Sequence, residues 1–128
     1  MRVLVDTRAF LWWIDDSSAL SSKARQAIAD PGNECLLSVA SCWEMAVKIS
    51  LGKLHLPRVM DRFIPEQLAL NAFHQLGIEF RHVARVASLP FHHRDPFDRL
   101  LAAQALEEDC PIVSADRVFR RYGVERVW

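Results

Sequence analysis

The 128-residue sequence predicts an α/β fold in which helices pack on a mostly parallel sheet. Short apolar runs, typical of strands buried on both faces, alternate along the chain with amphipathic or apolar helical segments. Hydrophobic residues make up 51% of the chain and charged residues 25%, a balance that suits one ordinary domain. No linker, repeat or low-complexity stretch interrupts it, so residues 1–128 are expected to form a single domain.

The N-terminal part predicts one strand and two helices. Arg2–Asp6 contains three consecutive apolar residues and ends abruptly, which is typical of a doubly buried strand. Arg8–Ile14 is rich in aromatic residues and predicts a short helix. Ser21 is the expected N-cap of a second helix, which ends near Asp30 because a Pro-Gly-Asn triplet follows.

The middle of the chain predicts a second buried strand and two further helices. The strand is Cys35–Leu37, and a strongly apolar helix follows over about Val39–Leu51, with Gly52 as its stop. The next amphipathic helix is expected from about Pro65 to Leu76, because proline suits the first helical turn and Gly77 closes the segment.

The C-terminal part predicts the remaining strands around one long helix. Ile78–Val83 is expected to be the third strand. Asp95 followed by proline is a good N-cap and N1 pair, so a helix should run from there to about Glu108. The last elements are a fourth strand, a short helix and a terminal strand, at Pro111–Val113, Asp116–Tyr122 and Glu125–Trp128.

The charge balance excludes one class of nucleic-acid binder. Lys and Arg number 16, as do Asp and Glu, so the formal net charge is zero. A protein that coats nucleic acid by bulk charge is usually basic, so a net charge of zero argues against this class. The same net charge is compatible with a small enzyme that has one acidic pocket beside local basic residues.

The cysteines and the N-terminus predict a cytoplasmic protein that does not enter a membrane. Cys35, Cys42 and Cys110 are odd in number, have apolar neighbours and form no Cys-x-x-Cys pair, so we expect free thiols and no structural zinc. The N-terminus becomes charged too soon for a signal peptide, and no apolar run is long enough to span a bilayer.

Two acidic residues follow predicted strands at the edge where such sheets bind ligands. Asp6 ends the first strand and Asp116 lies just past the fourth. In open α/β sheets the binding crevice lies beyond the carboxyl ends of the strands, where strand order reverses. If the first and fourth strands are neighbours there, the two carboxylates converge. Alternatively, Asp6 caps the turn that follows it, and Asp116 is a helix N-cap.

Glu44 lies on the polar stripe of an otherwise apolar helix. Ser41, Glu44 and Lys48 fall at i, i+3 and i+7, while nearly all their neighbours are hydrophobic. Because most sides of this helix are expected to be buried, the Glu44 carboxylate requires a polar environment, and a pocket would provide one. A capping box with Ser41 or an ion pair with Lys48 at i+4 are the structural alternatives.

Asp98 and Asp95 compete for a place in the same site. Asp98 stands above apolar residues on the helix face expected against the sheet, and a carboxylate there is costly to bury without a partner. Asp98 could instead complement the helix dipole. Asp95 has a sufficient structural role as an N-cap. We therefore assign Asp98 to a metal and Asp95 to the cap.

Four carboxylates around one crevice predict a divalent cation. Each crowded pair repels by about 4 kcal/mol at about 4 Å under an effective dielectric constant of about 20. Shared protons or a cation would offset this repulsion. Oxygen ligands favour Mg²⁺, with Mn²⁺ as the alternative, and such a site suits phosphodiester hydrolysis.

Four segments occur in a recognisable order along the chain: Val3–Thr7, Ser41–Glu44, Asp95–Ala105 and Val113–Asp116. Together they resemble PIN-domain ribonucleases, and in particular the VapC-type toxins of bacterial and archaeal toxin–antitoxin pairs. The resemblance runs over the whole chain, and the Asp-Pro-Phe-Asp-Arg-Leu-Leu-Ala-Ala-Gln-Ala stretch is its most specific part.

The resemblance implies a three-layer α/β/α sandwich with strand order 3-2-1-4-5. It also implies a Mg²⁺-dependent endoribonuclease that forms a homodimer and is inhibited by a small VapB-like antitoxin. The catalytic metal ligands of the family map onto the four acids Asp6, Glu44, Asp98 and Asp116. Supporting roles are expected for Thr7, Asp95 and Ser114. Ser114 stands where many members have Thr, and its hydroxyl could orient Asp116 or a water.

Basic residues near the acids are candidates for contact with RNA. Lys48, Arg99 and Arg117 could guide the phosphate backbone, although solvated charge or ion pairing would also explain each of them. The His92–His93 pair precedes Asp95 and is interpreted as part of a loop without catalytic duty, with a general base or a metal ligand as the alternative.

Two other functions remain open from the sequence. A doubly wound phosphohydrolase often needs a second Asp two residues after the first, but Arg8 stands there. A non-catalytic PIN-fold binding module is also possible, although the four intact acids argue against it.

Overall fold

The computed structural model describes residues 1–128 and contains one five-stranded, all-parallel sheet in the order β3-β2-β1-β4-β5. The predicted strand order is confirmed. The strands are β1 (Arg2–Val5), β2 (Glu34–Ser38), β3 (His74–Leu76), β4 (Ile112–Val113) and β5 (Arg126–Val127).

Seven helices connect the strands, and none is long and apolar enough to cross a membrane. They are α1 (Thr7–Ile14), α2 (Ser22–Ala29), α3 (Val39–Ser50), α4 (Met60–Leu70), α5 (Phe80–Ser88), α6 (Pro96–Glu107) and α7 (Val118–Arg121).

Side chains on the central strand alternate between two hydrophobic cores, one on each face of the sheet. Val3 and Val5 pack with apolar residues of α1, α2 and α4 in one cluster of 14 buried residues. Leu4 packs with residues of α6 and α7 in a second cluster of the same size. The alternation follows from the period of two along a strand. It confirms the expected α/β/α layering.

The strand order places the switch point between β1 and β4. β1 pairs with β2 on one side and with β4 on the other, with Val5 opposite Val113. β2 and β3 lie on one side of β1, and β4 and β5 lie on the other, so the strand order reverses at β1. The residues that follow β1 and β4 therefore meet at one edge, where a crevice is expected.

The segment between α3 and α6 departs from the sequence prediction. The helix predicted over Pro65–Leu76 begins instead at Met60 and contains Pro65 in its interior. Phe63 and Ile64 are buried just before the proline, and their burial outweighs the backbone hydrogen bond that proline removes.

The third strand also lies elsewhere than predicted. β3 is His74–Leu76, whereas the predicted strand Ile78–Val83 lies outside the sheet, and its last four residues begin helix α5 at Phe80. Glu79 and His82 form a capping box at its N-terminus, and the His82 side chain is fully buried. The capping box and the burial of His82 therefore favour a helix, although the alternation of apolar and polar residues in this segment is typical of a strand.

Candidate active site

An open cleft of about 170 Å³ lies beyond the carboxyl ends of β1 and β4. It brings together the four predicted acids and a fifth carboxylate: Asp6, Glu44, Asp95, Asp98 and Asp116. Its lining also includes the Thr7 hydroxyl and the cationic side chains of Arg8 and Lys48. Five carboxylates against two lining cations leave the cleft with an excess of negative charge.

Asp6 follows the central strand and is buried at the head of α1. Its backbone N–H donates to Val113 O at 3.1 Å, which ties it to β4. Its Oδ1 accepts a hydrogen bond from Ala9 N at 2.7 Å, so the expected capping role is also realised. Burial raises the pKa of Asp6, although hydrogen bonds from Ser114 and Ala9 oppose that rise.

Glu44 reaches the cleft from the middle of α3. Thr7 Oγ1 donates to its Oε1 at 2.7 Å, and Lys48 Nζ donates to its Oε2 at 2.9 Å. The predicted ion pair at i+4 is therefore present. The alternative capping box with Ser41 is not, because Ser38 is the N-cap and the buried Ser41 hydroxyl has no hydrogen-bond partner.

Asp98 and Asp95 stand at the start of α6. Asp95 Oδ1 accepts from Phe97 N at 2.8 Å, which confirms it as the N-cap, yet it also lines the cleft. Asp98 lies one turn further on. Burial, followed by repulsion from Asp95, raises the pKa of Asp98 to about 7, although His93 acts in the opposite direction. Asp98 is therefore held where its charge is poorly compensated.

Asp116 is linked to Asp98 through His93, for which the sequence predicted no catalytic duty. His93 Nε2 lies 3.0 Å from Asp116 Oδ2 and 3.1 Å from Asp98 Oδ2. One potential ligand atom from each of these three residues lies within 4.8 Å of the others. Asp6 and Glu44 line the same cleft outside this tight group. No local pattern could have revealed a contact between residues 23 positions apart.

Ser114 lies between the two acids that follow β1 and β4. Its hydroxyl accepts from Asp116 N at 3.0 Å and hydrogen-bonds the Asp6 carboxylate. Asp116 Oδ1 accepts from Val118 N at 3.0 Å, close to the predicted capping role. These short polar links hold Asp6 and Asp116 close together just beyond the ends of the neighbouring strands β1 and β4.

The expected role of Arg99 in RNA contact is corrected by its position. The side chain is buried, and its guanidinium donates to the carbonyl oxygens of Pro90 at 2.9 Å and Val86 at 3.2 Å. It also stacks on the Phe91 ring, with 4.1 Å between the guanidinium carbon and the ring centroid. Arg99 therefore anchors the loop between α5 and α6 and lies outside the lining of the cleft.

Of the other predicted basic contacts, only Lys48 lines the cleft. Arg117 is exposed and lies outside the lining residues, so its role stays a prediction. Arg8 lines the cleft but was not predicted as a contact. It follows Asp6 by two residues, and its position at the start of α1 was the available signal.

The donor set fits a hard divalent cation. The cleft offers carboxylate oxygens from several elements and a hydroxyl oxygen, which is the chemistry that Mg²⁺ and Mn²⁺ prefer. The raised pKa of Asp98 indicates that the residues present do not neutralise the carboxylates by themselves. Cysteine sulfur, which zinc would favour, is absent from the lining.

Sequence comparisons identify proteins to which this chain is similar. A sequence model described as PIN domain matches residues 3–125. Ribonuclease VapC22 of Mycobacterium tuberculosis is 30% identical over 98% of both chains. Ribonuclease VapC16 of the same organism is 32% identical, over 49% of this chain and 45% of that protein.

Solved structures share the fold. The crystal structure of VapBC2 from Rickettsia felis, bound to a DNA fragment from their promoter, aligns with a TM-score of 0.71 and 14% identity over all of both chains. FitAcB from Neisseria gonorrhoeae aligns with a TM-score of 0.65 and 17% identity, over 97% of this chain and 95% of that one. The resemblance to VapC-type proteins is confirmed, and this chain belongs to the PIN domain family.

Proposed function

We propose that this protein is a divalent-metal-dependent endoribonuclease and the toxin of a type II toxin–antitoxin pair. The observation that carries the proposal is the convergence of Asp6, Glu44, Asp98 and Asp116 in one cleft at the switch point of the sheet. Both curated relatives are named ribonucleases, which supports the same substrate class here.

The carboxylates of Asp6, Glu44 and Asp98 would hold the cation. When bound, Mg²⁺ or Mn²⁺ would lower the pKa of a water and neutralise charge that develops on the scissile phosphate. Each of these carboxylates comes from a different element, so the folded sheet and helices set their separation. Asp116, the fourth expected ligand, is half-exposed and is held by His93, so we place it at the rim of the ion site.

Thr7, Asp95 and Ser114 would keep the ligands in place. Thr7 donates to one oxygen of Glu44, which restricts the rotation of that carboxylate. Asp95 caps α6 and thereby orients the turn that carries Asp98. Ser114 joins Asp6 to the segment that carries Asp116. Supporting hydrogen bonds of this kind orient ligands and raise metal affinity.

Arg8 and Lys48 would attract the RNA backbone to an otherwise acidic cleft. Both side chains are in its lining, and both can pair with phosphate oxygens. The position of Arg8 also argues against a doubly wound phosphohydrolase, because a cation stands where that class would carry a second Asp. No observation favours a non-catalytic module.

The proposal extends to partners and location. A VapB-like antitoxin is supported by the structural neighbour VapBC2, which is a complex of such a pair. A homodimer and a cytoplasmic location are carried over from the family resemblance, and the three unpaired cysteines are compatible with that location. Co-expression with a VapB-like antitoxin, followed by size-exclusion chromatography, would test the pairing and the dimer.

The experiment that tests the proposed function is RNA cleavage by the purified chain with Mg²⁺, Mn²⁺ or a chelator. We expect cleavage only with a cation, and loss of cleavage in Asp6→Asn and Asp98→Asn. Asp109→Asn is the matched control, because it makes the same change at an exposed residue outside the cleft. Cleavage that persists in both cleft variants would contradict the proposal.

A further inference from the structure

His93 is held in place from two sides in the loop between α5 and α6. Its backbone N–H donates to the hydroxyl of the buried Tyr122 at 2.9 Å. Its ring Nδ1 accepts a hydrogen bond from Asp95 N at 3.1 Å. The ring therefore has a defined position and a defined orientation before any ligand arrives.

The contact with Asp95 determines which ring nitrogen carries the proton. A backbone amide can only donate, so Nδ1 must present its lone pair. The proton of the neutral ring is then on Nε2, which lies between Asp98 Oδ2 and Asp116 Oδ2. One N–H group thus hydrogen-bonds Asp116 and lies in direct electrostatic contact with Asp98.

The same contact argues against His93 as a metal ligand. Coordination through Nε2 would require the lone pair there and would move the proton to Nδ1. Two donors, the Nδ1–H and the Asp95 N–H, would then face each other at 3.1 Å. The Asp95 amide would also lose its acceptor at the turn that begins α6.

The two carboxylates that His93 contacts differ in the hydrogen bonds that their oxygens accept. Each oxygen of Asp116 accepts one hydrogen bond, Oδ1 from Val118 N and Oδ2 from His93 Nε2–H. Asp98 Oδ2 lies 3.1 Å from His93 Nε2 as an ion-pair contact, and its Oδ1 accepts no hydrogen bond. The imidazole therefore restricts the rotation of Asp98 while leaving one of its oxygens available.

We propose that His93 is a positioning residue whose Nε2–H orients Asp98 and Asp116 for the divalent cation without binding that cation itself. The inference rests on the proposed metal-dependent function and assigns a role to a residue for which the sequence predicted no catalytic duty. Groups that orient metal ligands in this way typically contribute about 10- to 100-fold in metal affinity.

Calorimetric titration with MgCl₂ and NiCl₂ tests this role in the full chain. His93→Ala and His93→Asn remove a donor at the Nε2 position, whereas His93→Gln can place an amide N–H near it. We expect the first two variants to bind both ions at least about tenfold more weakly, and His93→Gln to recover most of the affinity. The variant pair Asn and Gln separates loss of the donor from general damage to the loop.

The comparison of the two ions distinguishes a positioning residue from a ligand. Ni²⁺ favours imidazole nitrogen, whereas Mg²⁺ favours oxygen. Similar losses for both ions support the proposal. A much larger loss for Ni²⁺ than for Mg²⁺, or unchanged affinities in His93→Ala, would overturn it.

Nitrogen-15 NMR of the histidine ring provides a readout independent of activity and affinity. We expect His93 to carry its proton on Nε2 both before and after Mg²⁺ is added. A proton on Nδ1, or loss of the Nε2 proton on adding Mg²⁺, would overturn the proposal. Failure of the wild-type chain to bind Mg²⁺ would contradict the proposed function itself, whereas normal wild-type binding with unaffected His93 variants overturns only the role of His93.

Discussion

Replacing Asp98 by Asn should stabilise the metal-free protein at alkaline pH. Asp98 is mostly buried, with 24% of its side chain exposed, and it faces other carboxylates. Burial and repulsion raise its pKa to about 7, from 3.8 for an unperturbed aspartate. The folded protein therefore binds the proton more tightly than the unfolded chain, and ionisation weakens the folded state.

The size of the effect follows from this difference. At 1.36 kcal/mol per pH unit, a pKa of about 7 in place of 3.8 corresponds to about 4 kcal/mol. The wild-type protein should lose stability as pH rises from about 4 to about 7, and the Asn variant, which has no proton to lose, should lose less. Near pH 8 the variant should be more stable by about 2–4 kcal/mol, on the order of 10 °C in melting temperature.

Urea denaturation in chelator at about pH 4 and pH 8 measures this difference. Asp109→Asn, an exposed site outside the cleft, should follow the wild type at both pH values. Added Mg²⁺ should reverse the order, because it stabilises only the folded state that can bind it. An Asp98→Asn protein that is no more stable than wild type near pH 8 without metal would refute the reasoning.

Three further changes have defined outcomes. Arg99→Met should destabilise the fold by about 3–5 kcal/mol in urea denaturation, because its buried guanidinium donates to several carbonyl oxygens and each such bond contributes about 1.5–3 kcal/mol. Lys48→Met removes a cation paired with Glu44, so KM for RNA should rise and the salt dependence of binding should fall by about one charge. Glu108→Gln should weaken the protein above about pH 4.5 and matter less below it, because a hydrogen bond from His82 lowers the pKa of Glu108 in the folded state. Thermal melts of both proteins above and below about pH 4.5 measure this effect, and a difference in melting temperature that does not change with pH would contradict it.

The strands around the switch point could be predicted because their signals are local. β1, β2 and β4 are short apolar runs with abrupt ends, because strands that are buried on both faces consist almost entirely of apolar residues. β3 has only Leu76 buried, so it carries no such run. Its place in the sheet depends on pairing with β2, which a single segment does not reveal.

The misassigned helices show how tertiary contacts override local patterns. Pro65 suggested a helix start, but burial of Phe63 and Ile64 against the core extends α4 in front of it. Ile78–Val83 alternates like a strand, but burial of His82 and its contact with Glu108 commit the segment to a helix.

The part of the candidate site that could be predicted from the sequence is the part that lies at the ends of adjacent strands. Asp6 and Asp116 follow adjacent parallel strands, so their convergence depends only on strand order. Arg99 and His93 could not be assigned in this way. A buried arginine that binds carbonyl oxygens resembles an RNA-contacting arginine in sequence, and the partners of His93 are fixed by the fold.

Anomalous diffraction from crystals soaked in MnCl₂ would locate a bound cation directly. We expect a manganese peak in the cleft with oxygen ligands from Asp6 and Asp98, and the loss of this peak in Asp6→Asn crystals. A cleft without a peak, in crystals of the wild-type chain that leave it open, would contradict a cation held by these carboxylates. A peak that persists in Asp6→Asn with unchanged ligands would contradict the assignment of Asp6.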